Sequence, residues 1–392
     1  MHADASGGGI WPASEMFQSF GSCALAALLI ALEILARGEA LAASAARPDR
    51  QADWEKTVAA AEKEGQVSIY GPPGTQYQNA ISAFQSAFPK IKLVYVAGSG
   101  TNNSQRLVTE RRAGKYLADA FIGGSGSLIE VLFDGNLLDP LPPLLLLPEV
   151  KDQSAWFGKS HTYADAKGQY VFMMQGNVNT NLAAYNTKLT TADSLKSHLD
   201  LLQPKWKGKM VAYDPRARGH IQNVRALYYS PKLGGEFFRR FFGEMDVTLS
   251  RDQRLMIDWL AQGKYLLSIF STGNDVLEAK KVGLPVDVIE APPEESHMSG
   301  GFGHVAVVNR APHPAAAKVF VNWLLSKQGQ LKWQEKSDNN SLRTDIPKHM
   351  LSEPASIPKE NGKYLNSSLP QYQDIDGALK IIDEALTKAG KK

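Results

Sequence analysis

The sequence predicts an α/β protein made of two α/β units with mostly parallel sheets. Three observations carry this. Short apolar strands alternate with amphipathic helices along most of the chain. Gly-rich turns follow the early strands at residues 71–74, 98–100 and 123–126. The alternation then starts afresh near Met210, in a chain of 392 residues, enough for two sizeable cores.

The elements follow in order. Trp54, Val58 and Ala61 mark a helix ended by Gly65, and residues 67–70 form a strand. Ile81, Phe84 and Phe88 mark the next helix, closed by Pro89. Residues 91–96 are a second strand, followed by a helix through Leu107 and Arg111. Residues 118–122 are a third strand. The Pro- and Leu-rich stretch 137–148 reads as a loop, and 178–185 as a strand-like crossover. The second unit opens with the strand 210–213 and a helix through Val224 and Leu227. Helices at 237–242 and 255–260 and strands at 265–270 and 286–289 complete it. An apolar strand at 303–308 stops at Pro312-His313-Pro314. A helix follows with Val319, Phe320, Trp323 and Leu324 on one buried face. Residues 375–386 carry helical spacing and dock as a last helix.

Composition narrows the function. A net charge of +3 gives no basic footprint for nucleic acid. The one cysteine, Cys23, supports neither a disulfide framework nor a cysteine metal cluster. Residues 23–32 form an apolar run of signal-peptide length, too short to span a bilayer. Ala40-Leu41-Ala42 and Ala43-Ser44-Ala45 after it fit a cleavage pattern. Residues 1–22 carry no Lys or Arg, a departure from the usual basic start. The expectation is export to the periplasm, with cleavage between Ala42 and Arg47.

Several motifs bear on chemistry. Gly71-Pro72-Pro73-Gly74-Thr75 opens like an ATPase phosphate loop, but Gln76-Tyr77-Gln78 replace the Lys and hydroxyl that such a loop needs. Nucleotide hydrolysis is excluded there; Gly74 and Thr75 remain candidates for a ligand-facing turn. Ser99, Gly100, Ser125 and Gly126 offer backbone N–H groups and hydroxyls at strand ends, which favour anions. In such sheets ligands sit beyond the carboxyl ends of the strands. Arg216 and Arg218 carry planar donor forks suited to phosphate, phosphonate or carboxylate, with Asp214 as a helix cap. Ser271 and Thr272 end another strand and suit neutral hydrogen bonds, and Asn177 opens the crossover. His297 and His304 lack metal-ligand spacing, and no metal or cofactor is expected. No nucleophile–base pair stands out, so an enzyme on the same scaffold is the weaker reading.

Four segments carry a resemblance to a known family. They are Trp54-Glu55-Lys56-Thr57-Val58, residues 110–119, Leu202-Gln203-Pro204-Lys205-Trp206-Lys207-Gly208-Lys209, and the return block 303–326. Each is similar to a segment of bacterial extracellular solute-binding proteins, in the ferric-iron-type branch. The resemblance implies the periplasmic binding protein-like II fold: two α/β lobes joined by crossover hinge strands, closing on a solute. It implies a signal and cleavage region at 1–46, lobe 1 at 52–176 and 300–338, and lobe 2 at 177–299. A C-terminal helical segment at 339–392 packs on the lobes. It implies a monomer serving an ABC transporter permease in the inner membrane, without catalysis, nucleic acid or cofactor. The ferric branch holds iron through two adjacent tyrosines after a strand. They are absent around Ser271-Thr272, and Tyr228-Tyr229 sits inside a helix. The expected solute is therefore small and anionic, with ferric iron as the alternative. Receptor sensing is a further one.

Overall fold

The computed structural model describes residues 51–217, 221–271, 273–352, 354–360, 362 and 364–391. One unit ends at Lys56, and the larger one runs from Thr57 onward and holds the elements below. The proposed signal region, Arg218 and Thr272 lie outside the described residues.

The first sheet is built by strand–helix–strand units. β1 (Gln66–Gly71) leads through α1 (Thr75–Ala87) to β2 (Lys92–Ala97). α2 (Gly100–Arg112) then leads to β3 (Ala120–Gly123), followed by β4 (Leu138–Asp139) and β5 (Phe172–Met173). The chain leaves this sheet by β6 (Asn177–Asn179) and enters the second with β7 (Asn181–Asn186). β8 (Met210–Tyr213), α3 (Ile221–Tyr228), α4 (Gly234–Glu244) and β9 (Thr248–Ser250) follow. Then come α5 (Gln253–Ala261), β10 (Leu267–Ile269), α6 (Gly273–Lys281) and β11 (Val286–Glu290). β12 (His297–Ser299) crosses back and β13 (His304–Val308) rejoins the first sheet. α7 (Pro314–Leu325), α8 (Lys327–Ser337), β14 (Leu365–Asn366) and α9 (Asp376–Lys388) end the chain.

The first sheet has the order β2-β1-β3-β13-β4, with β5 also on β13; the second is β11-β7-β10-β8-β9. Each sheet mixes directions for a physical reason. Strands joined by helical crossovers run parallel, as β1 does with β2 and β3, and β8 with β9 and β10. Strands arriving from the other lobe run antiparallel, as β13 does against β3 and β7 against β10. A third, small sheet, β14-β12-β6, lies at the crossing. There β6 and β12 pair antiparallel, Met298 opposite Val178, so both interlobe connections bend together.

Two details differ from the sequence expectation. The crossover 178–185 is two strands, because the chain breaks at Thr180. The Asn179 side chain accepts from the Asn181 backbone N–H at 2.9 Å, turning β6 away from β7. The return helix α7 is buried on nearly every side instead of one face, being packed by α1, α8, β1 and β13. Phe320 and Trp323 meet Phe84 at 5.3 and 5.4 Å between ring centroids. Within α7, Asn322 pins the Leu-rich loop: its Oδ1 accepts from Leu146 and Leu147, and its Nδ2 donates to the Leu144 carbonyl. The second lobe has its own core, in which Phe237, Phe238, Phe241 and Phe242 of α4 pack with Ala378, Ile382 and Leu386 of α9.

Candidate ligand-binding site

A cavity of about 860 Å³ opens beside the hinge strands, a size that suits a small organic solute. The hinge supplies Gln175, Asn177, Asn179 and Thr180 from one crossing and His297 and Ser299 from the other. The second lobe adds Gln222 and Asn223 from the first turn of α3, Ser271 after β10, and Asp275 in the first turn of α6. The first lobe adds Tyr77, Gly301 and Phe302, and the stretch after α8 adds Asn339 and residues around 352–356. The charged groups among these described lining residues are Asp275 and Glu290; none is a Lys or Arg.

Hydrogen bonds hold the amides. Trp333 Nε1–H donates to Gln175 Oε1 at 2.9 Å. Gln175 and Asn177 both donate to Asn339 Oδ1, at 3.1 and 2.8 Å. The Asn340 backbone N–H donates to Asn177 Oδ1 at 2.8 Å. Asn179 Nδ2 donates to Asn223 Oδ1 at 2.8 Å. Gly303 permits the close packing behind Gln175: a Cβ there would lie 2.1 Å from Gln175 Cβ. Tyr77 stands edge-on to Phe302 and tilted against Trp333, and burial raises its phenol pKa while a hydrogen bond from Asn339 lowers it. Phe270, at φ 60°, holds the backbone in the left-handed region just before Ser271, where a bulky residue costs on the order of 1–3 kcal/mol.

A buried histidine–carboxylate contact lies behind the wall. His198 Nδ1 meets Glu295 Oε2 at 2.7 Å, and Ser197 Oγ donates to Glu295 Oε1 at 2.8 Å. Burial alone would raise the Glu295 carboxyl, but hydrogen bonds from His198 and Ser197 win and hold it at about 2. His297 is pushed down to about 4 by burial, with His198 acting in the same direction. It therefore faces the cavity as a neutral imidazole near pH 7.

Of the residues singled out from sequence, Asn177 and Ser271 line this cavity. Gly74, Thr75, Ser99, Gly100, Ser125 and Gly126 are not among its described lining residues. Ser99 instead caps α2, accepting from Asn102 at 3.2 Å, and Ser125 is buried. Gly74 and Thr75 start α1, and the residue of that turn on the wall is Tyr77. Arg216 corrects an expectation. Its guanidinium is spent on protein carboxylates: Nε donates to Asp214 Oδ1 at 2.8 Å, Nη2 to Oδ2 at 3.1 Å, and Nη1 lies 3.7 Å from Asp383. A buried Asp214 that needed a counter-charge captured the fork meant for the ligand. Sequence reasoning missed Gln175, Asn179, Asn223 and Asn339, because isolated amides carry no motif; only Asn179 had a signal, the Asn-x-Asn at 177–179 on the crossover.

This geometry, with two mixed α/β lobes and a polar cavity at paired crossing strands, defines a solute-binding protein of the type II periplasmic class. Residues 70–331 match the family of bacterial extracellular solute-binding proteins, and the chain belongs to that family. Among relatives, a Haemophilus influenzae protein of uncharacterised role is 25% identical over 56% of this chain; the match spans 63% of that relative's length. A probable ABC transporter periplasmic-binding protein of Sinorhizobium fredii is 24% identical over 82% of this chain and 85% of its own. An Fe(3+)-binding periplasmic protein of Serratia marcescens is 22% identical over 84% of this chain and 92% of its own. Among solved structures, iron-bound HitA of Pseudomonas aeruginosa gives a TM-score of 0.58 at 18% identity, covering 82% of this chain and 99% of HitA. AfuA of Actinobacillus pleuropneumoniae with fructose-6-phosphate gives the same score and identity, covering 83% and 99%. These two likenesses show the fold.

Proposed function

We propose that the protein is the periplasmic substrate-binding subunit of an ABC importer. It captures a small anionic organic solute, an organic phosphate, phosphonate or carboxylate, and delivers it to an inner-membrane permease. The observation that carries the reading is the polar cavity at the junction of both crossing strands, where hinge rotation would close it. The first turn of α3 and the approach to α6 both open onto that cavity, and helix N-termini favour negative groups. The AfuA likeness to a sugar-phosphate binder supports the same class, and the periplasmic relatives support the compartment.

A thermal-shift panel of organic phosphates, carboxylates, sugars, amines and ferric iron tests the class, since a true ligand stabilises in proportion to the logarithm of its concentration. Small-angle scattering with saturating ligand should show a smaller radius. Stabilisation by iron with a visible tyrosinate band would replace the anion reading by the ferric one. N-terminal sequencing of the exported form tests the compartment; the expected new terminus lies between Ala42 and Arg47, and an uncleaved chain would remove the assignment.

A further inference from the structure

We infer that Gln175, Asn177, Asn179 and Asn223 form a donor array: four neutral amides whose oxygens are taken by the protein and whose remaining amino hydrogens are left for an acceptor-rich anionic group of the solute. The inference rests on the solute-binding reading above and deepens it.

An amide offers one carbonyl acceptor and two N–H donors, and which end faces a ligand depends on what holds the other. Here each orientation is fixed by a partner with one possible role. The Trp333 indole can only donate, so Gln175 must turn its oxygen to it. Backbone N–H groups can only donate, so Asn177 turns its oxygen to Asn340 and Asn179 to Asn181. With Asn179 fixed, its amino group points at Asn223, whose oxygen accepts it. Gln175 and Asn177 each give one hydrogen to Asn339 Oδ1, and Asn179 gives one to Asn223. Asn339 in turn donates to the Ser337 carbonyl at 2.7 Å, which fixes its own orientation and makes it a positioning residue.

What remains is one spare hydrogen on each of Gln175, Asn177 and Asn179, and both on Asn223, for which no acceptor stands among the described residues. All four residues line the cavity. A patch of amides with N–H groups outward and carbonyls turned away offers donors without itself carrying charge. It suits the oxygens of a phosphate or carboxylate, and leaves any donor on that group without a partner, which is costly when buried. Glu290, elsewhere on the wall, is an acceptor and suits a hydroxyl of the same solute.

Exchange of one amide for a carboxylate reverses the wall at that point while keeping the internal bond to its oxygen. The experiment is calorimetric titration of the full chain, wild type, Asn223→Asp and Asn177→Asp. The probes are fructose 6-phosphate, inorganic phosphate, fructose and spermidine. The expected result is that the phosphates bind the wild type, and that each substitution weakens them at least tenfold while improving spermidine relative to phosphate. A merely structural role would not reverse that preference. Unliganded melting curves check folding; Asn223, held by one bond, decides the case if Asn177→Asp does not fold. Unchanged phosphate affinity in the folded variants overturns the array, as does a wild type that takes fructose or spermidine and no phosphate. In that last case solute capture stands and the donor array fails. If none of the four probes and none of the carboxylates in the thermal-shift panel binds, both fail.

Discussion

Arg216→Ala separates the sequence expectation from the structure most sharply. From sequence, this arginine belongs to the anion site, and its loss should weaken binding and leave folding untouched. In the structure it neutralises Asp214, whose side chain is 5% exposed. Burial alone would raise the Asp214 carboxyl, yet the Arg216 side chain and backbone N–H, with Arg251 beside them, hold it below the usual range. Losing a charge-assisted hydrogen bond costs about 1.5–3 kcal/mol, and breaking a buried pair about 3–5 kcal/mol. Arg251 remains on Asp214 Oδ2 at 3.1 Å, although its own side chain is 66% exposed. The expected loss is therefore near the lower bound, about 2 kcal/mol, which lowers Tm by about 3 °C for a chain of this size. The pH dependence has a definite sign. A carboxyl depressed in the folded state stabilises fully above its unfolded pKa and loses that stabilisation as pH falls through the folded value. The gap between wild type and Arg216→Ala should be present at pH 7 and shrink below about pH 4. Thermal melting at several pH values measures it. A variant that melts like the wild type but no longer binds phosphates would refute this reasoning and return Arg216 to the ligand site.

Three further outcomes are expected. His297 and His304, both pushed to about 4 by burial, should make the protein lose stability as pH falls from about 6.5 to 4, with the full stabilisation present above 6.5; His304→Leu should flatten that slope in urea titrations, and an unchanged slope would count against burial as the cause. Glu295→Ala leaves the Ser197 hydroxyl and the His198 N–H groups facing an empty space, and should cost about 3 kcal/mol by denaturant unfolding. Gly303→Ala forces a methyl group onto Gln175 Cβ and should cost about 1–3 kcal/mol while weakening phosphate binding; a variant equal to wild type in both would show that Gln175 moves aside freely.

Much of the fold was legible because its signals are local and periodic. Ile81 and Phe84 on α1, the four phenylalanines of α4 and the strand 210–213 each declare themselves within a dozen residues. β12 and β14 did not, since strands of three and two residues have too few positions to show alternation. α8 has only Leu331 and Trp333 as large apolar residues, so no apolar stripe announced it. The site was legible only in part. Strand ends drew attention to Ser271, and the crossover to Asn177, but Asn339 arrives from more than 160 positions away to bind Gln175 and Asn177. Arg216 misled because a sequence displays a cation without showing which carboxylate already owns it. Composition cannot tell a cation that awaits a ligand from one already neutralised by Asp214.

The placement of these amides bears on how such a protein can change its diet over evolutionary time. Asn177 and Asn179 belong to a crossing strand, and Asn179 also makes the turn into β7. A substitution there alters recognition and the bending element at once, so drift at these positions is penalised twice. Asn223 and Gln222 sit on the first turn of α3, outside the crossing strands. New solute preferences should therefore accumulate first on the α3 side of the cavity. Gln175, wedged between the Trp333 indole and Gly303, should be among the last positions to yield.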